Sequence, residues 1–154
     1  MTAGRWVVLA ILAITVIFGL GMWYAQTRAF YTTLDSASLV VTSPTGEVLP
    51  LPHDGFRGID ADSSPLRFRA CFTLDEAGMA AAARAATHPD PEPLVAPAWF
   101  DCYDAATLGA AIETSEARAV MSMHEIARGV DRIIAVFPDG RAYAWQQLNG
   151  TLEE

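Results

Sequence analysis

Nineteen consecutive residues, Trp6 to Tyr24, read WVVLAILAITVIFGLGMWY and contain no charged side chain. At about 1.5 Å of rise per residue, such a run makes a helix of roughly 28 Å, close to the hydrocarbon thickness of a bilayer. Trp6 stands at one end and Trp23 and Tyr24 at the other, where amphipathic rings favour the headgroup interface, with Arg5 and Arg28 just outside. The stretch predicts a transmembrane helix over residues 6–24. Residues 1–5 then form a short cytoplasmic tail, 25–38 a stalk and 39–154 an exported domain. Two other structures compete for the run. A cleaved signal peptide has an apolar core of about 7 to 15 residues and small residues before the cut; here the run is longer, and cleavage after Ala25 would put Trp23 at the minus-three position. A buried helix that is apolar on every side would need a core that the remaining chain, about 125 residues, could barely wrap.

Basic side chains flank the span equally, Arg5 before it and Arg28 after it, so orientation turns on the amino terminus, which adds a positive charge to a five-residue tail. That tail is expected to stay in the cytoplasm, which places the large domain in the periplasm of a Gram-negative cell, held to the inner membrane by a single pass. Beyond the span, Phe30 to Glu154 holds all eighteen acidic residues and eight of the ten basic ones, a net charge of eight minus eighteen, or minus ten. Such a surface repels nucleic acid and anionic lipid headgroups, and no basic stripe offsets it, so no nucleic-acid partner is expected.

Two cysteines, Cys71 and Cys102, lie beyond the membrane. In an oxidising compartment they are expected to pair, closing a loop of about thirty residues and stabilising the domain by roughly 3–4 kcal/mol. The alternative is two buried thiols packing as small apolar groups. Neither cysteine has a CxxC or CxxH neighbour, and His53, His88 and His124 are scattered, so no metal site is expected on them.

Leu39 to Thr42 and Glu47 to Leu51 read as strands joined by the turn Ser43-Pro44-Thr45-Gly46, with Pro50 and Pro52 closing the hairpin and His53-Asp54-Gly55 opening an irregular link to Ile59. Asp60-Ala61-Asp62-Ser63-Ser64 begins like a calcium loop, but Pro65 stands where the glycine is needed and Cys71 where the bidentate glutamate is needed, which favours an Asp/Ser turn. Leu66 to Thr73 alternates, with Leu66, Phe68, Ala70 and Phe72 on one face and Arg67, Arg69, Cys71 and Thr73 on the other. Thr73 and Glu76 match a capping box and predict a helix from Leu74 to about Ala86. His88 to Pro97 holds four prolines in ten residues and is a loop.

Asp104 is placed to cap a short helix from Ala105 to about Glu113. Before it, Trp99, Phe100 and Tyr103 crowd around Cys102; these aromatics either close the core or form a contact surface for a partner. Ala117 to Ile126 satisfies neither period cleanly and is taken as a strand. Asp131 to Phe137 and Arg141 to Leu148 are strands around Pro138-Asp139-Gly140, a hairpin turn with glycine in the left-handed position. The expected fold is α+β: a small antiparallel sheet with two short helices on one face, behind a transmembrane helix.

No G-x-S-x-G context, phosphate loop or nucleotide-binding box occurs in the chain. His124-Glu125 is a tempting acid–base pair, but a lone strand histidine more often sits at a surface or satisfied in the core than in a site. No catalytic residue, cofactor or metal is therefore assigned. The strings IDADSSPLRFRACF (Ile59–Phe72), PLVAPAWFDCYDA (Pro93–Ala105), GVDRIIAV (Gly129–Val136) and DGRAYAWQQLN (Asp139–Asn149) resemble an uncharacterised family of single-span alphaproteobacterial proteins, the domain of unknown function DUF6446. The resemblance implies an anchored, exported domain and no particular chemistry.

The residues therefore point to a membrane-anchored, non-catalytic domain that serves another membrane or periplasmic protein as an accessory subunit. The alternative is a small periplasmic enzyme with an acid–base site around His124. In native membranes, Cys71 and Cys102 should resist a thiol-alkylating mass tag until reductant is added, and then take two tags. Two freely reactive thiols without reductant would remove the bond.

Overall fold

The computed structural model describes residues 2–153, and the chain divides into two units between Tyr31 and Thr32. The first unit is one helix, α1 (Ala3–Tyr24), continued by a π-helical turn, Ala25–Ala29. None of the α1 side chains is buried in protein. Among the described residues it is the one helix long and apolar enough to cross a membrane, with a mean hydropathy of 2.4 in its most apolar stretch. The hydroxyl of Thr15 turns back on the helix, Oγ1 donating to the Ile11 carbonyl at 2.9 Å.

The second unit is built on eight strands: β1 (Thr32–Leu34), β2 (Val40–Thr42), β3 (Val48–Pro50), β4 (His53–Asp60), β5 (Arg69–Leu74), β6 (Arg118–Ala127), β7 (Val130–Val136) and β8 (Arg141–Leu148). Six of them form one antiparallel sheet in the order β1-β4-β5-β8-β7-β6, and β2 with β3 forms a separate hairpin. The turns obey the residue chemistry. Gly46 (φ +82°) and Gly140 (φ +89°) take the left-handed conformation that the β2–β3 and β7–β8 connections need. The sheet also takes in Thr32–Leu34, part of the segment expected to be stalk, as its edge strand beside β4.

Two helices complete the unit, α2 (Glu76–Arg84) and α3 (Ala105–Glu113). They do not share a face. Side chains alternate along β5, and Phe68, Ala70, Phe72 and Leu74 belong to a core that contains Ala82 and Ala85, so α2 and the β2–β3 hairpin cover that side. Cys71 points the other way and is bonded to Cys102, two residues before the α3 cap, so α3 covers the opposite side. The reason is that the second face of β5 is not solvated: Arg69 and Cys71 are buried as deeply as the apolar positions.

Close approach on the α2 side follows from small residues in the middle of the sheet. Ala70, Ala142 and Ala144 are fully buried, and their bare Cβ atoms let Leu39, Val41, Leu49 and Leu51 of the hairpin region settle onto the strands. Two reciprocal hydrogen bonds fix the hairpin to β6: Thr42 Oγ1 donates to the Ser122 carbonyl (2.8 Å) and Ser122 Oγ donates to the Val40 carbonyl (2.6 Å). Ser122 is thus a buried hydroxyl with its requirement met.

Other expectations are corrected locally. Residues 53–60 are strand β4, whose register shifts between Asp54 and Arg57 around Gly55 at φ +62°; the bulge destroys the alternation that would have marked a strand. Leu66 and Arg67 lie in a 3₁₀ turn capped by Ser64, so β5 begins only at Arg69. Thr73 remains in β5 opposite Arg141, and the α2 cap is Asp75, whose carboxylate accepts from Gly78 N–H at 2.7 Å. Asp60 behaves as a turn residue, its carboxylate accepting from the Ala61 N–H at 2.8 Å.

Gly78 lies in α2, where alanine would ordinarily be the better helix former by about 1 kcal/mol. A Cβ there would overlap the Pro52 carbonyl oxygen, an immovable backbone atom, whereas a Cβ on Gly109 of α3 meets nothing within 4 Å. Gly78→Ala should therefore destabilise the domain by about 1–3 kcal/mol while Gly109→Ala is neutral or stabilising by up to about 1 kcal/mol. Denaturant unfolding of the two variants in detergent checks the opposite signs.

Candidate functional site

The β6–β7 connection is irregular. Register shifts interrupt β6 after Met121 and again after Met123, and Glu125 adopts φ +48°, unusual for a side chain other than glycine. What holds this conformation is Asp131, the second residue of β7, which is only 3 % exposed. Its Oδ1 accepts from the Glu125 N–H (2.8 Å) and from Asn149 Nδ2 (2.9 Å). His124 Nδ1 lies 2.9 Å from Oδ1 and 3.1 Å from Oδ2 of the same carboxylate. Glu125 Oε1 in turn accepts from the Gly129 N–H and the Thr151 hydroxyl, both at 3.2 Å.

Burial pushes the Asp131 carboxyl up, but the donated hydrogen bonds from Glu125, Asn149 and His124 outweigh it and hold the group below the ordinary carboxylate range. Facing a carboxylate, His124 Nδ1 is the donor of the pair. The histidine side chain is 63 % exposed. Chemically, this is an imidazole oriented by a buried carboxylate. Two of the bonds to that carboxylate come from the bulge and from the chain after β8, so much of its task is to hold the backbone.

A second constellation occupies the α3 side of the sheet. Residues 88–104 cross it as a strap, and side chains of the sheet hold the strap down. Arg69, 4 % exposed, donates from Nε to the Leu94 carbonyl (2.7 Å) and from Nη2 to the Val95 carbonyl (3.3 Å), while Nη1 binds the carbonyls of Leu66 (2.8 Å) and Phe68 (2.6 Å). Its guanidinium also lies 5.8 Å from the centre of the Tyr103 ring. Gln147 on β8 clamps the start of the strap, accepting from the Glu92 N–H (2.8 Å) and donating to the Asp90 carbonyl (2.9 Å), with Trp145 Nε1 donating to its Oε1 at 2.9 Å. The Cys71–Cys102 disulfide, with Cα atoms 6.3 Å apart, fastens the far end.

The three aromatics considered as a contact surface are separated by this arrangement. Phe100 and Tyr103 are 5 % and 6 % exposed and face inward, Tyr103 meeting Tyr143 edge to face at 6.4 Å between centroids. Burial pushes the Tyr103 phenol well above its ordinary range. Trp99 is half-buried, packs against Phe100 and borders a cleft with Leu34, Arg57 and Gly58. The surface beside it is charged, with Arg57 bound to Asp101 at 2.7 Å. Arg69 and Gln147 are the residues that sequence reasoning missed. The available signal was a cysteine on the supposedly polar face of β5, since a disulfide partner must be covered by chain.

A family model described as a family of unknown function, DUF6446, matches residues 39–154. No curated protein matches the chain, and no solved structure does.

Asp131 yields a signed pH dependence. Its carboxyl is lowered in the folded state, so the stability it adds is present above the unfolded carboxylate value of about 3.9 and is lost as pH falls through the folded value. Asp131→Ala should destabilise the domain by about 1–3 kcal/mol at pH 7, because the Glu125 N–H loses its acceptor, and the deficit should shrink below about pH 4. Unfolding measured from pH 3 to 8 checks the shape, with His124→Ala as the milder comparison.

Proposed function

The chain belongs to the DUF6446 family, and we propose that it works as a single-pass, inner-membrane-anchored subunit whose α+β domain stands in the periplasm and serves another envelope or inner-membrane protein without catalysing a reaction. The observation that carries this reading is α1, an apolar helix with no residue buried in protein, whose exposed side chains fit a bilayer. The Cys71–Cys102 pair supports the compartment, because disulfides persist in oxidising spaces and are rare in the cytosol. The net charge of the domain supports a protein partner over nucleic acid or an anionic lipid surface.

A second reading has one specific observation in its favour. The His124–Asp131 pair leaves the histidine side chain largely exposed while a buried carboxylate holds its ring, as a general base would be held. On this reading the domain is a small periplasmic enzyme, and His124→Ala would abolish its activity while leaving the fold intact.

Recovery of the tagged full chain from native membranes in mild detergent separates the two. A stoichiometric envelope partner that is retained equally by His124→Ala is the expected result. Recovery of the chain alone from wild-type membranes would overturn the accessory-subunit reading.

A further inference from the structure

The strap over the α3 side of the sheet has an outer edge as well as an inner one. Its run Asp90-Pro91-Glu92-Pro93 is conformationally restricted at every residue, since proline fixes its own φ near −65° and keeps the residue before it in the extended region. Residues 91–97 adopt neither helix nor ladder strand. Exposure along this part of the strap repeats every third position: Glu92, Val95 and Ala98 are exposed, and the residues between them are half-buried. Three residues per turn is the period of the polyproline II helix. Val95 is 80 % exposed, more than any large apolar residue of α1, where Ile17 is highest at 70 %.

We propose that the ridge on the extended run 91–97, which presents Glu92 and Val95 and ends at exposed Ala98 in the turn from Pro97 to Phe100, is a preformed polyproline II ligand for a groove lined with aromatic rings and rimmed by arginine or lysine on the partner protein. The proposal rests on the accessory-subunit reading and names the surface that reading needs. The strap is immobilised from beneath by Arg69, Gln147 and the disulfide, so the ordering entropy that a free proline-rich segment would lose on docking is already lost on folding. Val95 is the anchor, and Ala98, exposed in the turn that ends the run, is small enough for the groove wall to come close. Glu92, with Asp90 beside it, supplies the charge that a basic rim reads. A second copy of this acidic domain, or an anionic lipid surface, would meet the Asp90 and Glu92 carboxylates of the ridge with like charge.

The test uses the full-length chain in its native membranes, with a photoreactive side chain placed singly at residues 92 to 98. Adducts to one heterologous protein at 92, 95 and 98, weak at 93, 94 and 96, and mapping to a peptide that joins aromatic with basic residues, are expected. Val95→Asp and Glu92→Arg should each lower recovery of that partner about tenfold while leaving disulfide formation and thermal unfolding unchanged, because both side chains are exposed. Adducts only to a second copy of the chain or to lipid would overturn the assignment. If a partner is recovered but the ridge gives no adduct, the ridge assignment falls and the accessory-subunit reading stands; if no partner is recovered at all, both fall.

Discussion

Burial of β5 on both faces sets the terms for the rest of the domain. One face is apolar and is covered by α2 and the β2–β3 hairpin, as hydrophobic burial requires. The other carries Arg69 and Cys71, and what covers it is a proline-rich segment that cannot pair its own peptide groups in a ladder. Buried carbonyls without partners are costly, so the sheet has to provide donors. Arg69 does so with a rigid fork that reaches two strap carbonyls and two of the chain entering β5, a task a lysine ammonium could not share out in the same plane. Gln147 repeats the device on β8 with an amide that both donates and accepts.

Much of this fold was legible in the residues, and the unread parts have definite causes. The β7–β8 hairpin, the β2–β3 hairpin and α3 with its Asp104 cap all stand close to where turn and cap chemistry put them, because Gly46, Gly140 and Asp104 act over two or three residues. Strand β4 was missed because its bulge at Gly55 breaks the two-residue period on which strand recognition depends. The α2 cap was assigned to Thr73 where Asp75 holds it, since the T-x-x-E pattern does not register that Thr73 is committed to β8. The placement of both helices on one face failed for a longer-range reason: alternation in β5 reads as inside and outside only when one side is wet.

The candidate sites divide in the same way. The Cys71–Cys102 pair is the one that an expected oxidising compartment and a count of two cysteines predict, with no knowledge of the fold. His124 was noticed for its neighbour Glu125, but its partner is Asp131, seven residues away, brought in by a bulge that a non-glycine residue at positive φ makes invisible to pattern reading. The aromatic run at residues 99–103 looked like a surface because it is dense, yet Phe100 and Tyr103 lie inward; the outward-facing apolar group is Val95, an isolated aliphatic residue among prolines.

The two ends of the strap are held by different physics, and the difference bears on how firmly the ridge is displayed. At residues 90–95 the holding forces are hydrogen bonds from buried donors and acceptors, of which the charged ones contribute about 1.5–3 kcal/mol each and act only while the geometry is kept. At Cys102 the hold is covalent and works mainly by limiting the unfolded chain, by roughly 3–4 kcal/mol for a loop of this length. Neither substitutes for the other. The disulfide keeps α3 and its approach over Tyr143 without dictating where Val95 points, and Arg69 dictates where Val95 points without tying α3 to the sheet. A ridge of fixed pitch and fixed facing therefore requires both, which gives a physical reason for a buried cation and a buried disulfide to stand two residues apart on one strand.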